Sequence, residues 1–175
     1  MAVTAVGRQQ SGTAKTIKSS GGDVAITLTS VANNAARQAA KLDLGAVRAA
    51  AYNVSADFEI AATPTAGATI ELWWAPSSSG TAGTDNPGGV SGTDAAYSGY
   101  SSNLAASIVQ LQFIGNFVCT AQATATVQKA FVGVLCPTHR YGSLVVYNKS
   151  GAALHSSATN MQIVLTPIED TSEPS

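Results

Sequence analysis

Few side chains in this sequence have the type and spacing that chemistry requires. The candidate nucleophiles and soft metal ligands are Cys119, Cys136 and His139, with His155 as the second of two histidines. Cys136 and His139 stand three apart and could share a zinc ion, but a structural zinc site takes four ligands and no fourth is apparent. A Cys–His nucleophile needs an exposed, electropositive setting. Both cysteines instead fall inside apolar stretches, where free thiols pack as small hydrophobes. Two cysteines are too few for a disulfide scaffold, so a free pair is expected. Asp57, Glu59 and Glu71 could work as a general acid and base on a sugar, yet carboxylates spaced along strands read first as solvent-facing charges. Asp85 and Asp94 flank a glycine-rich stretch and could offer oxygens to calcium, without EF-hand spacing. No H-E-x-x-H, C-x-x-C or Walker sequence is present. The expectation is a chain with no catalytic residue, no metal site and no cofactor.

The aromatic residues offer a different chemistry, that of contact. Trp73 and Trp74 are adjacent, so on a strand their rings point to opposite faces. Trp74 fits the core face. Trp73, with Tyr97 and Tyr100, is then a candidate interface or glycan platform.

Charge is scarce. Only 11% of residues are charged and the net charge is −1, against a usual charged fraction of about 25%. Ala, Ser, Thr and Gly fill the gap, while 45% apolar content separates the chain from disordered sequences. A poorly charged surface endangers the solubility of a free monomer and suits a protein packed in an assembly. No global attraction to nucleic acid or anionic membrane follows. Residues 1–50 are locally basic, with Arg8, Lys15, Lys18, Arg37, Lys41 and Arg48 against Asp23 and Asp43. They read as a solvated arm with its flanks, or as an arm that docks on an acidic protein surface through Arg8, Lys15 and Lys18. Residues 1–20 contain no apolar signal region, and no run approaches the ~20 residues of a membrane span. Folding in a cytoplasm without membrane targeting is expected.

These residues must be positioned by strands. At 175 residues the chain suits one domain able to bury roughly 70% of its unfolded surface. Residues 1–22 read as an extended basic arm, 23–168 as a β-sandwich domain and 169–175 as a polar tail. Residues 23–31 alternate as a first strand. Residues 32–39 suggest loop or short helix, 40–45 and 48–54 strands. Residues 56–75 look like a hairpin, with Pro64 and Gly67 in its turn and Glu59 and Glu71 on wetter faces. Residues 76–103 form a long Gly/Ser loop, a length often functional. Stretches 108–119, 127–136 and 141–147 read as consecutive antiparallel strands at the centre of the fold, and 161–167 as the last. In the first of them Val109, Leu111 and Phe113 alternate with Gln110 and Gln112. The whole predicts an all-β antiparallel sandwich, jelly-roll-like.

The segments DLGAVRAAAY (43–52), IELWWAPS, TDNPGGVSGTDAAYSGY, QLQFIGNFV and PTHRYGSLVVYN together resemble a family of small all-β virion structural proteins of tailed bacteriophages. The resemblance spans roughly residues 30–168. It implies a head decoration (cement) protein or a neck, tail or fibre component, and carries over no functional residue. For decoration it implies binding to the major capsid protein or another virion protein, a homo-oligomer with a trimer favoured, and a place in the virion after assembly in the bacterial cytoplasm. An arm that orders on the shell would let a small domain grip a wide surface. The other reading is a carbohydrate-binding sandwich at a tail or fibre tip.

Overall fold

The computed structural model describes residues 12–157 and 159–168. Among the described residues ten strands run in the order β1 (Lys15–Ile17), β2 (Ala36–Gln38), β3 (Leu42–Asp43), β4 (Tyr52–Glu59), β5 (Thr69–Ser77), β6 (Ala95–Tyr97), β7 (Gln112–Val118), β8 (Val127–Leu135), β9 (Tyr141–Lys149) and β10 (Gln162–Pro167). A single helical turn, α1 (Leu104–Ile108), precedes β7. One sheet has the order β1-β10-β4-β8, the other β6-β2-β9-β5-β7, with β3 continuing the β2 side of β9. Every ladder between named strands is antiparallel. With β3 and β6 set aside, each strand lies in the opposite sheet to the one before it, except β7, which pairs with β5 in the larger sheet. That interleaving makes an eight-stranded jelly roll, to which β6 adds an edge.

The period-two pattern explains the core. Along β4, Tyr52, Val54, Ala56 and Phe58 are buried while Asn53 and Ser55 face water. From the other sheet Ile70, Leu72, Trp74, Leu144 and Phe117 point back at them. Phe58 and Phe117 meet edge to face across the gap, with centroids 5.0 Å apart.

Sequence alternation located faces better than partners. The expected hairpin over 56–75 does not form. Its two halves are β4 and β5, which belong to different sheets and face each other through the core. Alternation says that a strand buries one side; two strands burying sides against one another look the same as a hairpin. The turn chemistry itself is right: Gly67 has φ 82° and the Ala68 N–H bonds the Thr65 carbonyl at 3.0 Å. The stretches 108–119, 127–136 and 141–147 likewise alternate between sheets instead of pairing in sequence.

Residues 23–31 bury Ile26 and Leu28 with the expected period, but only Val24 makes a bridge, to Ile17. Residues 36–38, expected as loop or helix, are the strand β2. The basic arm does not reach residue 22, because β1 pairs with β10 and Ile17 is fully buried.

The long loop is the largest correction. Residues 78–111 fold back over the outer face of the larger sheet and build a second core. Val90, Tyr97, Ile108 and Leu111 pack there with Ala75 and Val145. Tyr97 donates its hydroxyl hydrogen to the Gly88 carbonyl at 2.6 Å. Asn103 caps α1 by accepting from the Ala106 N–H. The loop is anchored from below by Lys41, whose ammonium donates to Ser77 Oγ and to the Thr81 and Thr84 carbonyls at 2.8–2.9 Å. Arg37 and Thr27 hold its far end through Asp94.

Candidate binding surfaces

The residues expected to do chemistry are held apart from one another. Asp57 accepts from Lys129 at 2.9 Å and Gln162 at 3.0 Å. Glu71, in the other sheet, accepts from Lys149 at 2.6 Å and from the Trp73 indole at 3.1 Å. Glu59 is 4% exposed, against the expectation of a wet face. Its carboxylate accepts from the Asn160 amide at 3.0 Å and lies 3.2 Å from His155 Nδ1. Asp85 accepts from Ser78, and Asp94 from Thr27 and Arg37, so each aspartate has its own partners.

Neither cysteine sits inside a strand: both follow strand ends, Cys119 buried and Cys136 exposed, and both are free. Burial pushes the Cys119 thiol up to about 11. Among the described residues no three His, Cys, Asp or Glu side chains converge as metal ligands.

Electrostatics mark the ties of the scaffold. The bidentate hydrogen bonds of Arg140 hold Asp43 at about 2, with the Gly45 N–H assisting. Burial alone would raise Asp94, but the Thr27 hydroxyl and N–H together with Arg37 outweigh it and leave that carboxyl below its ordinary value. Burial lowers Lys41, opposed by Asp85. Burial also raises Tyr97 to about 12.

The arm residues divide. Arg8 lies outside the described residues. Lys15 sits on β1 with its ammonium 3.9 Å from Asp23, and Lys18 is half-buried in a turn whose backbone bonds Val24 and Ile26. The two lysines therefore belong to the sandwich edge.

The proposed aromatic platform also divides. Tyr97 is 3% exposed and belongs to the second core, so it cannot stack on a ligand. Tyr100 is exposed at the edge of the folded loop. Trp73 is half-buried and packs on Phe113 with centroids 4.7 Å apart. Beside it the Glu71–Lys149 ion pair continues to Tyr147, where the ammonium lies 4.6 Å from the ring centroid. The registers Tyr147–Glu71–Asn116 and Val145–Trp73–Phe113 make this one strip across three strands. Phe113 and Tyr147 were missed as members. A strand-pairing order was needed to bring them beside Trp73.

A second surface lies where β7 and β8, the edge strands of the two sheets, abut. Phe131 (63% exposed), Val118 (55%), Phe113 (46%) and Val134 (43%) are on these two strands. The Phe113 side departs from the expected alternation because β7 is bulged. Leu72 and Trp73 oppose Gly115 and Phe113, leaving Ile114 as the extra residue. Val109 is not in the strand at all but ends α1, exposed. A groove of about 210 Å³ at the β7–β8 turn, lined by Phe117, Thr120, Gln128 and Lys129 among others, is smaller than the roughly 300–1,000 Å³ of drug-sized ligand sites. No helix among the described residues is long and apolar enough to cross a membrane.

No protein-family model, curated protein or solved structure matches the chain.

Proposed function

We propose that this chain is a non-enzymatic structural protein of a bacteriophage virion, serving as a head decoration protein that packs on the assembled shell. The observation that carries the reading is the apolar edge on a protein with few charges. Four large hydrophobic side chains stand exposed on the abutting strands β7 and β8, in a chain that is 11% charged. Large apolar side chains left exposed along two abutting edge strands suit a surface that other protein covers, and low surface charge is a liability for a free monomer. The resemblance of the segments in 30–168 to virion proteins supplies the setting. Packing between copies, as a trimer, and against the major capsid protein would cover the edge.

The test is the copy number of the chain per particle, by quantitative mass spectrometry of purified virions against the major capsid protein. Decoration requires a count near that of the capsid protein. A dozen or a few dozen copies would replace it with the second reading, a neck, tail or fibre part. The strip of Trp73, Phe113 and Tyr147 beside the Glu71–Lys149 pair favours that reading to the extent that it binds sugar. A role for the N-terminal residues is tested by deleting 1–11, which leaves β1 and its pairing with β10 in place.

A further inference from the structure

The contacts around His155 contain a conflict over one proton. The His155 Nδ1 accepts the Ser157 backbone N–H at 3.0 Å, which requires a lone pair on that nitrogen. The same nitrogen lies 3.2 Å from Glu59 Oε1, an oxygen that in the carboxylate offers only lone pairs. Two acceptors facing each other at this distance attract only when a proton lies between them. A proton on Nδ1 satisfies Glu59 and deprives Ser157 of its acceptor. A bare Nδ1 satisfies Ser157 and leaves Glu59 Oε1 facing a lone pair.

The surroundings make the conflict consequential. The Glu59 side chain is 5% exposed, so its charge is expensive without a partner. Its other oxygen already accepts from Asn160. The backbone around His155 is fixed on both sides: its N–H bonds the Glu59 carbonyl at 2.8 Å and its carbonyl accepts from the Ser30 N–H at 3.2 Å. Leu154 pairs with Ile60 in an isolated bridge. Only the imidazole and the chain beyond it are left to respond. The imidazole side chain is 27% exposed and open to solvent protons. Glu59 is the charged group that the ring meets from β4; residues 28–31, which bond the His155 carbonyl through the Ser30 N–H, carry no ionisable side chain.

We propose that Glu59, His155 and Ser157 form a proton-operated latch on the connection between β9 and β10. With Nδ1 bare, the Ser157 N–H is bonded to the ring. When solvent delivers a proton to Nδ1, the imidazolium donates to Glu59 Oε1 and the Ser157 N–H is released. The backbone at Ser157 then moves between two arrangements while the β-sandwich stays as it is.

The experiment uses the full chain and reads two signals as the pH is lowered from 8 to 5. Long-range nitrogen–proton NMR spectra report which nitrogen of His155 carries hydrogen, with His139→Asn used for assignment. Amide hydrogen exchange reports the protection factor of Ser157. The expected result is an Nε2–H ring at pH 8, an added Nδ1 proton at low pH, and a fall of about tenfold in Ser157 protection with the same midpoint. In His155→Gln, whose amide can donate to Glu59 and accept from Ser157 together, the protection becomes independent of pH. Ser157 protection that ignores the protonation of His155 in the unaltered chain overturns the latch, whether or not the variant folds. So does a pH response that survives in His155→Gln.

Discussion

Gly115 on β7 faces the carbonyl oxygen of Val132 on β8, and Gly133 on β8 faces that of Ile114 on β7. The relationship is reciprocal, and its members are not arbitrary. Ile114 is the extra residue of the bulge in β7, and Val132 is the extra residue of the bulge in β8, where Val54 and Ser55 oppose Gly133 and Phe131. Each edge strand bends at its bulge and aims the bulged carbonyl at the other strand's glycine. The sandwich closes on this side because neither glycine has a side chain. Cα–H···O contacts are the weak attraction available at such a seam.

Gly115→Ala and Gly133→Ala are therefore expected to destabilise the fold by about 2–3 kcal/mol each through overpacking. The melting temperature should fall by roughly 5–10 °C for a domain of this size, measured by calorimetry. Gly67→Ala is the comparison: its added carbon meets open space, and only the φ of 82° penalises it, at about 1 kcal/mol. Equal losses at 67 and 115 would show that the seam is not tight.

How much of this was legible in the sequence depends on which physical signal each part carries. Burial periodicity is local, so the inward sides of Tyr52–Phe58, Ile70–Trp74 and Ile163–Leu165 were readable and the all-β sandwich followed. Strand pairing is non-local. The apparent hairpin over 56–75 shows that alternation and turn residues agree equally well with two strands in opposite sheets. Bulges break the period where they occur, and so Phe113 was placed on the wrong side. Residues 78–111 carry few apolar residues, widely spaced, and read as open loop; Val90, Tyr97, Ile108 and Leu111 form a core only because β5 and β9 supply Ala75 and Val145 beneath them. Glu59 looked solvated because nothing in its neighbourhood announces His155 and Asn160, about a hundred residues on.

Acid should loosen the ties at Asp94 and Asp43 over a definable range. Both carboxyls are held below their ordinary values in the folded chain. A depressed carboxyl contributes stability that is fully present above its unfolded value, near 3.8, and lost as pH falls through its folded value. With Asp43 at about 2, the window runs from about pH 4 down to about pH 2. Asp94→Asn leaves Arg37 without its ion partner in a part-buried setting and is expected to cost about 2 kcal/mol at pH 7. Urea titrations at pH 7, 4 and 2 should show that difference shrinking as the native Asp94 is itself neutralised. The Asp43–Arg140 pair is more than a third exposed on both sides, so Asp43→Asn should change stability at pH 7 by less. A constant difference across all three pH values would dissociate Asp94 from the acid response.

The two thiols should separate cleanly. Cys136 is exposed, whereas Cys119 is 1% exposed with its thiol raised to about 11 by burial. Thiolate is the reactive species, so a maleimide at neutral pH should modify Cys136 in the native chain and leave Cys119 untouched. Mass spectrometry of the intact protein is expected to show one adduct, and two after denaturation in guanidinium. Peptide mapping that finds Cys119 modified under native conditions would mean that the end of β7 opens far more readily than its packing allows.

The apolar edge gives the sharpest prediction for an assembly role. Phe131 is 63% and Val134 43% exposed, so their side chains contribute little to the fold of a single chain. Phe131→Ser with Val134→Ser is expected to change unfolding free energy by no more than about 0.5 kcal/mol per site. If other protein covers this edge, the same pair should weaken association sharply. Aromatic residues at the centre of an interface commonly account for 2 kcal/mol or more, roughly a thirtyfold change in affinity. Sedimentation velocity of the purified chain reads self-association, and mass spectrometry of particles grown with the variant reads occupancy on the virion. Unchanged sedimentation with lost occupancy assigns the edge to the shell; lost sedimentation of the larger species assigns it to contacts between copies. Retention of both, with the fold intact, removes the apolar edge as the ground for placing this chain in an assembly.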